Sequence, residues 1–136
     1  MNAERIINVG VVGVGSLGQH HARIYAQLQG ARLVGVYDAD MARAEAIAAQ
    51  HGTRAFPTLE ALAGAAEAVS VVVPTHLHHK VGIELLDRGI HLLVEKPISS
   101  TTQEAESLVR RAQEKGVILQ VGHVERFNPV MAFLQQ

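Results

Sequence analysis

The chain of 136 residues is 48% hydrophobic and 18% charged, which gives enough apolar material for one packed domain and too little charge for a disordered chain. Its 12 Lys and Arg nearly balance its 13 Asp and Glu, which argues against nucleic acid as a partner, and the lack of Cys excludes disulfides and thiolate metal sites. The glycine-broken N-terminal run is unlike a signal peptide, and no apolar stretch of about 20 residues is present to span a bilayer, so a soluble cytoplasmic protein with no membrane partner is expected.

Ile6 to Val12 is a short, β-branched run of the kind that forms a strand buried on both faces, and glycines follow it at once. Apolar residues then recur at helical spacing from Leu17 to about Leu28, with Gly30 placed to stop the helix. Leu33 to Tyr37 reads as a second strand. Asp40 caps a helix that runs to about Gln50 and ends at Gly52, Arg54 to Phe56 is a short third strand before Pro57, and Thr58 to Ala63 is a brief helix. Ala68 to Val73, the most hydrophobic run, is a central strand ended by Pro74. A helix from Leu77 to Arg88, a strand from His91 to Val94, a helix from Thr101 to Lys115 and a strand from Val117 to Val121 complete the alternation.

Strands separated by helices throughout imply an α/β fold with right-handed crossovers. The expected architecture is a doubly wound parallel sheet, the Rossmann fold, with six strands in the order 3-2-1-4-5-6. At the end of the chain Asn128 and Pro129 resemble an N-cap and first helical residue, and Val130, Met131, Phe133 and Leu134 supply an apolar face. That helix has about two turns before Gln136, so the sequence is expected to be the N-terminal part of a longer protein. Residues 1–125 would form a dinucleotide-binding domain and residues 126–136 the start of a connection to a C-terminal domain.

Gly13-Val14-Gly15-Ser16-Leu17-Gly18 is a G-x-G-x-x-G sequence that follows one strand and opens one helix, the context in which it binds a dinucleotide. Gly13 permits the tight turn, Gly15 lets a pyrophosphate approach the backbone, and Gly18 lets the helix pack against the strand. The N–H groups at the helix start, around Ser16 and Leu17, then face the phosphates. The alternative is a merely flexible strand-to-helix turn. Asp38, 20 residues beyond Gly18, ends the second strand where a carboxylate accepts hydrogen bonds from the ribose hydroxyls and repels a 2'-phosphate. NAD is therefore favoured over NADP, because neither Ala39 nor Asp40 supplies a cation and Arg43 is about a turn away. Asp38 could alternatively only cap the next helix, a role Asp40 already fills.

Pro74-Thr75-His76-Leu77-His78-His79 closes the central strand on the carboxyl edge of the sheet, where such folds bind ligands, and Pro74, Thr75 and His78 are candidates for the cofactor site. The three histidines lack a nearby carboxylate or Cys to complete a tetrahedral metal site, so no metal is expected. Glu95-Lys96-Pro97 follows the fifth strand on the same edge. A Lys there can hydrogen-bond a substrate hydroxyl, although the triplet taken alone could equally be an exposed ion pair before a proline.

From Val9 through Pro129 the chain resembles the N-terminal domain of the glucose-fructose oxidoreductase, inositol dehydrogenase and MocA family (Gfo/Idh/MocA). The resemblance rests on Gly13 to Gly18, Asp38, Pro74-Thr75-His76-Leu77-His78, Gly89 to Pro97 and Arg126-Phe127-Asn128-Pro129, in that order. Gly122 to Pro129 is similar to the branch acting on nucleotide-linked amino sugars, which includes UDP-N-acetylglucosamine 3-dehydrogenases. The resemblance implies hydride transfer between a nicotinamide and a carbon of a sugar, nucleotide sugar or cyclitol. It makes Lys96 the catalytic lysine that orients the reacting hydroxyl, Glu95 its supporting neighbour and His78 a residue lining the nicotinamide pocket. It also implies a C-terminal domain that supplies a catalytic His, most substrate contacts and a homo-oligomer interface, so these residues alone are not expected to turn over substrate. A different class of reading is a stand-alone nucleotide-binding sensor or interaction module.

Overall fold

The computed structural model describes residues 5–122, so the expected helix after Asn128 and the Arg126 to Pro129 motif lie outside the described residues. β3 (Ala68–Val71), the run of greatest hydrophobicity, has every residue buried and takes the centre of a five-stranded sheet. The order is β2-β1-β3-β4-β5, with β1 (Ile7–Val12), β2 (Ala31–Tyr37), β4 (His91–Glu95) and β5 (Leu119–Gly122), and each neighbouring pair is parallel. Parallel neighbours need crossovers. These are supplied by α1 (Gly18–Gln27), α2 (Met41–His51), α3 (Leu59–Ala65), α4 (His78–Asp87) and α5 (Thr102–Lys115).

The doubly wound architecture is as expected, but the third of the six expected strands is not formed. Arg54 to Phe56 contributes one isolated bridge, Val36 to Ala55, in which Val36 N–H donates to Arg54 O at 2.8 Å and Phe56 N–H donates to Val36 O at 2.8 Å. Pro57 has no N–H to extend a ladder, and Thr58 already caps α3 by accepting from Ala61 N–H, so the segment turns away after a single pair. The segments therefore follow the expected lateral order, with the outermost reduced from a strand to a bridge.

Side chains alternate across the sheet and each set finds its own helices. Val9, Val11 and Leu93 pack with Ala22 and Tyr25 of α1 and Ala44, Ile47 and Ala48 of α2. Val12, Val69, Val71 and Val94 pack with Leu62 of α3, Leu85 and Leu86 of α4 and Leu108 of α5. Among the described residues no helix is long and apolar enough to cross a membrane.

The pairing register sets where the chain leaves the sheet. Tyr37, Val12, Val71 and Val94 are mutual partners across β2, β1, β3 and β4, so Asp38, Gly13, Val72 and Glu95 form the next row along the carboxyl edge.

The packing of α5 can be tested by a pair of adjacent truncations. Leu108 is 0% exposed and sits against Gly82 of α4, where a Cβ would lie 2.8 Å from Leu108 Cδ2. Leu108→Ala is expected to cost about 2–5 kcal/mol in urea denaturation. Val109→Ala, at a position 44% exposed, is expected to cost about 0.5 kcal/mol or less. Equal losses from the two would contradict this helix orientation.

Candidate active site

Three glycines shape the turn after β1, each for a different reason. Gly13 has φ of 91°, and a Cβ there would lie 2.4 Å from Val72 O. At Gly18 a Cβ would lie 1.7 Å from Gly13 O, so α1 starts in direct contact with the loop. A Cβ on Gly15 would instead meet only Arg43 Nη1, at 3.6 Å, and project into open space. Gly13 and Gly18 thus play the turn and packing roles that the G-x-G-x-x-G spacing predicts. No side chain caps α1, whereas Asp40, Thr58 and Thr101 cap α2, α3 and α5. Within the first turn of α1, Gln19 N–H donates to Gly15 O and His20 N–H to Leu17 O, each at 3.0 Å, and the exposed Ser16 and Leu17 lie at the start of the helix, the end that favours an anion. This loop fits a dinucleotide pyrophosphate.

Asp38 does not cap α2, because Asp40 accepts from Arg43 N–H in that role. Its own oxygens tie the loop together: Oδ2 accepts from Val14 N–H at 2.8 Å and Oδ1 from Asp40 N–H at 2.8 Å. Each carboxylate oxygen can accept more than one bond, so capacity remains for a ribose hydroxyl. Arg43 is the residue that sequence spacing set too far away. Its Nη1 lies 3.8 Å from Asp38 Oδ2 and its Nη2 3.8 Å from Asp40 Oδ2, because the first turn of α2 folds it back over the end of β2. A cavity of about 530 Å³ joins Gly13, Gly15, Asp38 and Pro74, and its other charged lining residues are Glu84, Arg43 and Lys80. The last two were not anticipated as site residues. Ser16 lies on a separate cavity of about 410 Å³ at the start of α1, which Arg43 and Gly15 share.

Glu95 and Lys96 diverge where β4 ends. Lys96 is exposed and joined to Pro97 by a cis peptide bond, while Glu95 is only 7% exposed. Glu95 shares the alternation of Leu93, so its side chain turns toward α1, and Oε2 lies 2.9 Å from His21 Nε2. This removes the exposed ion pair as an account of the triplet. His21 Nδ1 is 3.0 Å from Ser70 Oγ, and Ser70 Oγ is 2.7 Å from the Tyr25 hydroxyl, so α1, β3 and β4 share one buried polar chain.

The structure places His78 beneath the loops rather than on the cavity wall. It is 2% exposed, with Nδ1 2.9 Å from Pro97 O and Nε2 2.9 Å from Val73 O. A neutral ring can donate to one of these carbonyls and an imidazolium to both. Either way the ring joins the end of β3 to the turn after β4. Thr75 lies in the short 3-10 turn Thr75–Leu77 that leads into α4, and His79 Nε2 is 3.0 Å from Ser107 Oγ of α5. Lys96, Thr75 and Glu95 are outside the walls of the larger cavity, which covers the β2 side of the cleft.

Burial raises the Tyr25 phenol from 10.0 to about 12, against the lowering effect of its bond to Ser70 and with the Glu95 charge adding to the rise. The folded state therefore favours the neutral phenol. Its contribution to stability is full below pH 10 and is lost as the pH rises through about 12. In an absorbance titration, the phenolate increment present in the wild type and missing from Tyr25→Phe should appear near pH 12. An increment centred at pH 10 would contradict the burial.

A model described as an oxidoreductase family with an NAD-binding Rossmann fold matches residues 7–123. UDP-N-acetylglucosamine 3-dehydrogenase of Acidithiobacillus ferrooxidans is 41% identical over 130 residues, which are 96% of this chain and 41% of that protein. Its solved structure superposes with a TM-score of 0.85, covering 96% of this chain and 42% of the other. The scyllo-inositol 2-dehydrogenase (NAD(+)) of Bacillus subtilis is 34% identical over 95% of this chain and 39% of its own length. GenD2 from gentamicin A biosynthesis, solved in complex with NAD, is 31% identical with a TM-score of 0.83, covering 88% of this chain and 35% of its own. The chain thus spans about two fifths of the length of the curated relatives it matches. With the family match running from the first residue of β1 to just past the end of β5, the chain belongs to the Gfo/Idh/MocA oxidoreductase family, and its fold is the NAD-binding Rossmann domain of that family.

Proposed function

We propose that this chain is the cofactor-binding domain of a dehydrogenase that transfers hydride between NAD and a hydroxyl-bearing carbon of a sugar or nucleotide sugar. The observation that carries the reading is the single row of Asp38, Gly13 and Glu95 along the carboxyl edge, with exposed Lys96 one residue further on. Gly13, Gly15 and the start of α1 at Ser16, Leu17 and Gly18 hold the pyrophosphate, Asp38 accepts from the ribose, and Pro74 and Thr75 line the cleft opposite. When bound, the nicotinamide supplies the hydride acceptor or donor. Lys96 contacts the substrate hydroxyl and shares its proton as the carbon changes oxidation state. His78 and Glu95 act from beneath, His78 by joining Val73 to Pro97 and Glu95 by anchoring the end of β4 to α1.

The nucleotide-sugar substrate is supported by the similarity to the Acidithiobacillus dehydrogenase and by the Gly122 to Pro129 sequence. In this reading residues 1–125 are the cofactor domain and 126–136 begin a connection to a substrate domain, through which a cytoplasmic enzyme assembles with copies of itself. The balance of 12 basic and 13 acidic residues supports a small-molecule substrate over nucleic acid.

NADH is expected to bind the chain more tightly than NADPH, since a 2'-phosphate would face Asp38 and Asp40 with Arg43 already shared between them. Asp38→Ala should weaken NADH binding by about 1.5–3 kcal/mol in calorimetry, the worth of a hydrogen bond to a charged group. Because Asp38 also holds Val14, the variant should melt earlier without cofactor as well. Equal affinity for the two cofactors, unchanged in the variant, would refute the assignment.

Lys96→Ala should leave the melting temperature and NADH affinity of the chain nearly unchanged, since the side chain is exposed. In the longer protein with its substrate domain the same change should lower turnover at least about 100-fold. Normal turnover there would make Lys96 structural and overturn its catalytic assignment.

A further inference from the structure

We propose that His21, Ser70 and Tyr25 are a positioning chain for Glu95, through which α1 holds the turn that carries Lys96. Among the described residues His21, Ser70 and Glu95 are three of the four buried polar or charged side chains, and the fourth, His78, grips the same turn from the other face. Such groups are rarely buried without a reason, because each must exchange water for a well-placed partner.

The proton order along the chain follows from its two ends. At one end, the Glu95 carboxylate can only accept, so His21 Nε2 carries a proton and donates to Oε2 at 2.9 Å. At the other end Tyr25 is buried, keeps its proton until about pH 12, and has Ser70 Oγ as its hydrogen-bond partner at 2.7 Å. In the proposed order Tyr25 donates to Ser70. Ser70, having accepted, can send its own proton to the neighbour at 3.0 Å, His21 Nδ1, which then holds a lone pair. One tautomer satisfies both ends, with Nε2 protonated and Nδ1 bare. Every donor in the series points toward Glu95, an arrangement in which successive bonds polarise one another.

The chain does not carry protons away from the reaction. Tyr25 is 2% exposed, so the series ends inside the fold, and its effect on Lys96 is geometric. His21 lies within the first turn of α1, three residues past Gly18, so the helix that meets the pyrophosphate also fixes the residue preceding Lys96.

Two measurements test this. The first uses the chain itself: imidazole nitrogen shifts, assigned by difference from His21→Gln, should show Nε2 protonated and Nδ1 unprotonated at neutral pH. A protonated Nδ1 would overturn the proton order. The second uses the longer protein and presupposes that Lys96 acts on the substrate, which the tautomer does not. His21→Leu should lower kcat by about 10- to 100-fold, and His21→Gln, whose amide N–H can reach Glu95, should restore most of it. NADH affinity should stay within about twofold in both. Tyr25→Phe removes one hydroxyl and keeps the ring, so it tests the far end where His21→Leu fails to fold, with an expected loss of about 3- to 10-fold in kcat. Unchanged kcat in folded His21→Leu or Tyr25→Phe would overturn the positioning role, as would a loss matched by an equal fall in NADH affinity. If Lys96→Ala alone proves silent, the catalytic role of Lys96 fails while the tautomer result stands.

Discussion

A Cβ on Gly18 would lie 1.7 Å from the carbonyl oxygen of Gly13, so α1 can begin where it does only because that residue has none. Much of the site depends on this contact. It aims the start of α1 into the cleft, and it brings the first turn close enough to β3 and β4 for His21 to reach both Ser70 and Glu95. A helix displaced outward by even one methyl group would lose bonds whose lengths are 2.9 and 3.0 Å, since hydrogen bonds weaken steeply beyond their normal range.

Two carboxylates stand in one row of the sheet edge and are held in different ways. Asp38 accepts from two backbone N–H groups and is approached by Arg43, so it is fixed by the loops it helps to shape while keeping an open side toward the cavity. Glu95 is withdrawn under the sheet and bonded by an imidazole. The first arrangement suits contact with a ligand, the second suits support of a neighbour. The difference follows from strand alternation: Glu95 faces the same side as Leu93, and the next residue, Lys96, is free to leave the sheet.

The turn after β4 is gripped from both faces of the sheet. His21 reaches it from α1 through Glu95, and His78 reaches it from α4 through the Pro97 carbonyl. A lysine that must meet a substrate hydroxyl within hydrogen-bond reach gains from a backbone that cannot drift, because small misplacements at a reacting centre cost large factors in rate. The long, exposed lysine side chain retains its own freedom until a ligand engages it.

The local signals of this fold were legible in the residues themselves. Glycine spacing, the cap at Asp40, the helix starts at Thr58 and Thr101, and the buried runs at Val9 and Val69 are determined within a few positions of chain, by backbone sterics, nearby N–H groups and hydrophobic burial. The row that joins Asp38, Gly13 and Glu95 follows from the same runs once they pair in parallel. What only the tertiary structure decided are partnerships between distant segments. Arg54 to Phe56 has strand-like residues but Pro57 and the α3 cap allow it one bridge, Arg43 folds back onto Asp38, and His78 sits beneath the loops. Above all, nothing in the order of residues joins His21 to Glu95, 74 positions apart, because a side chain's burial and its partner depend on which face of the sheet it meets, and that is set by packing across the whole domain.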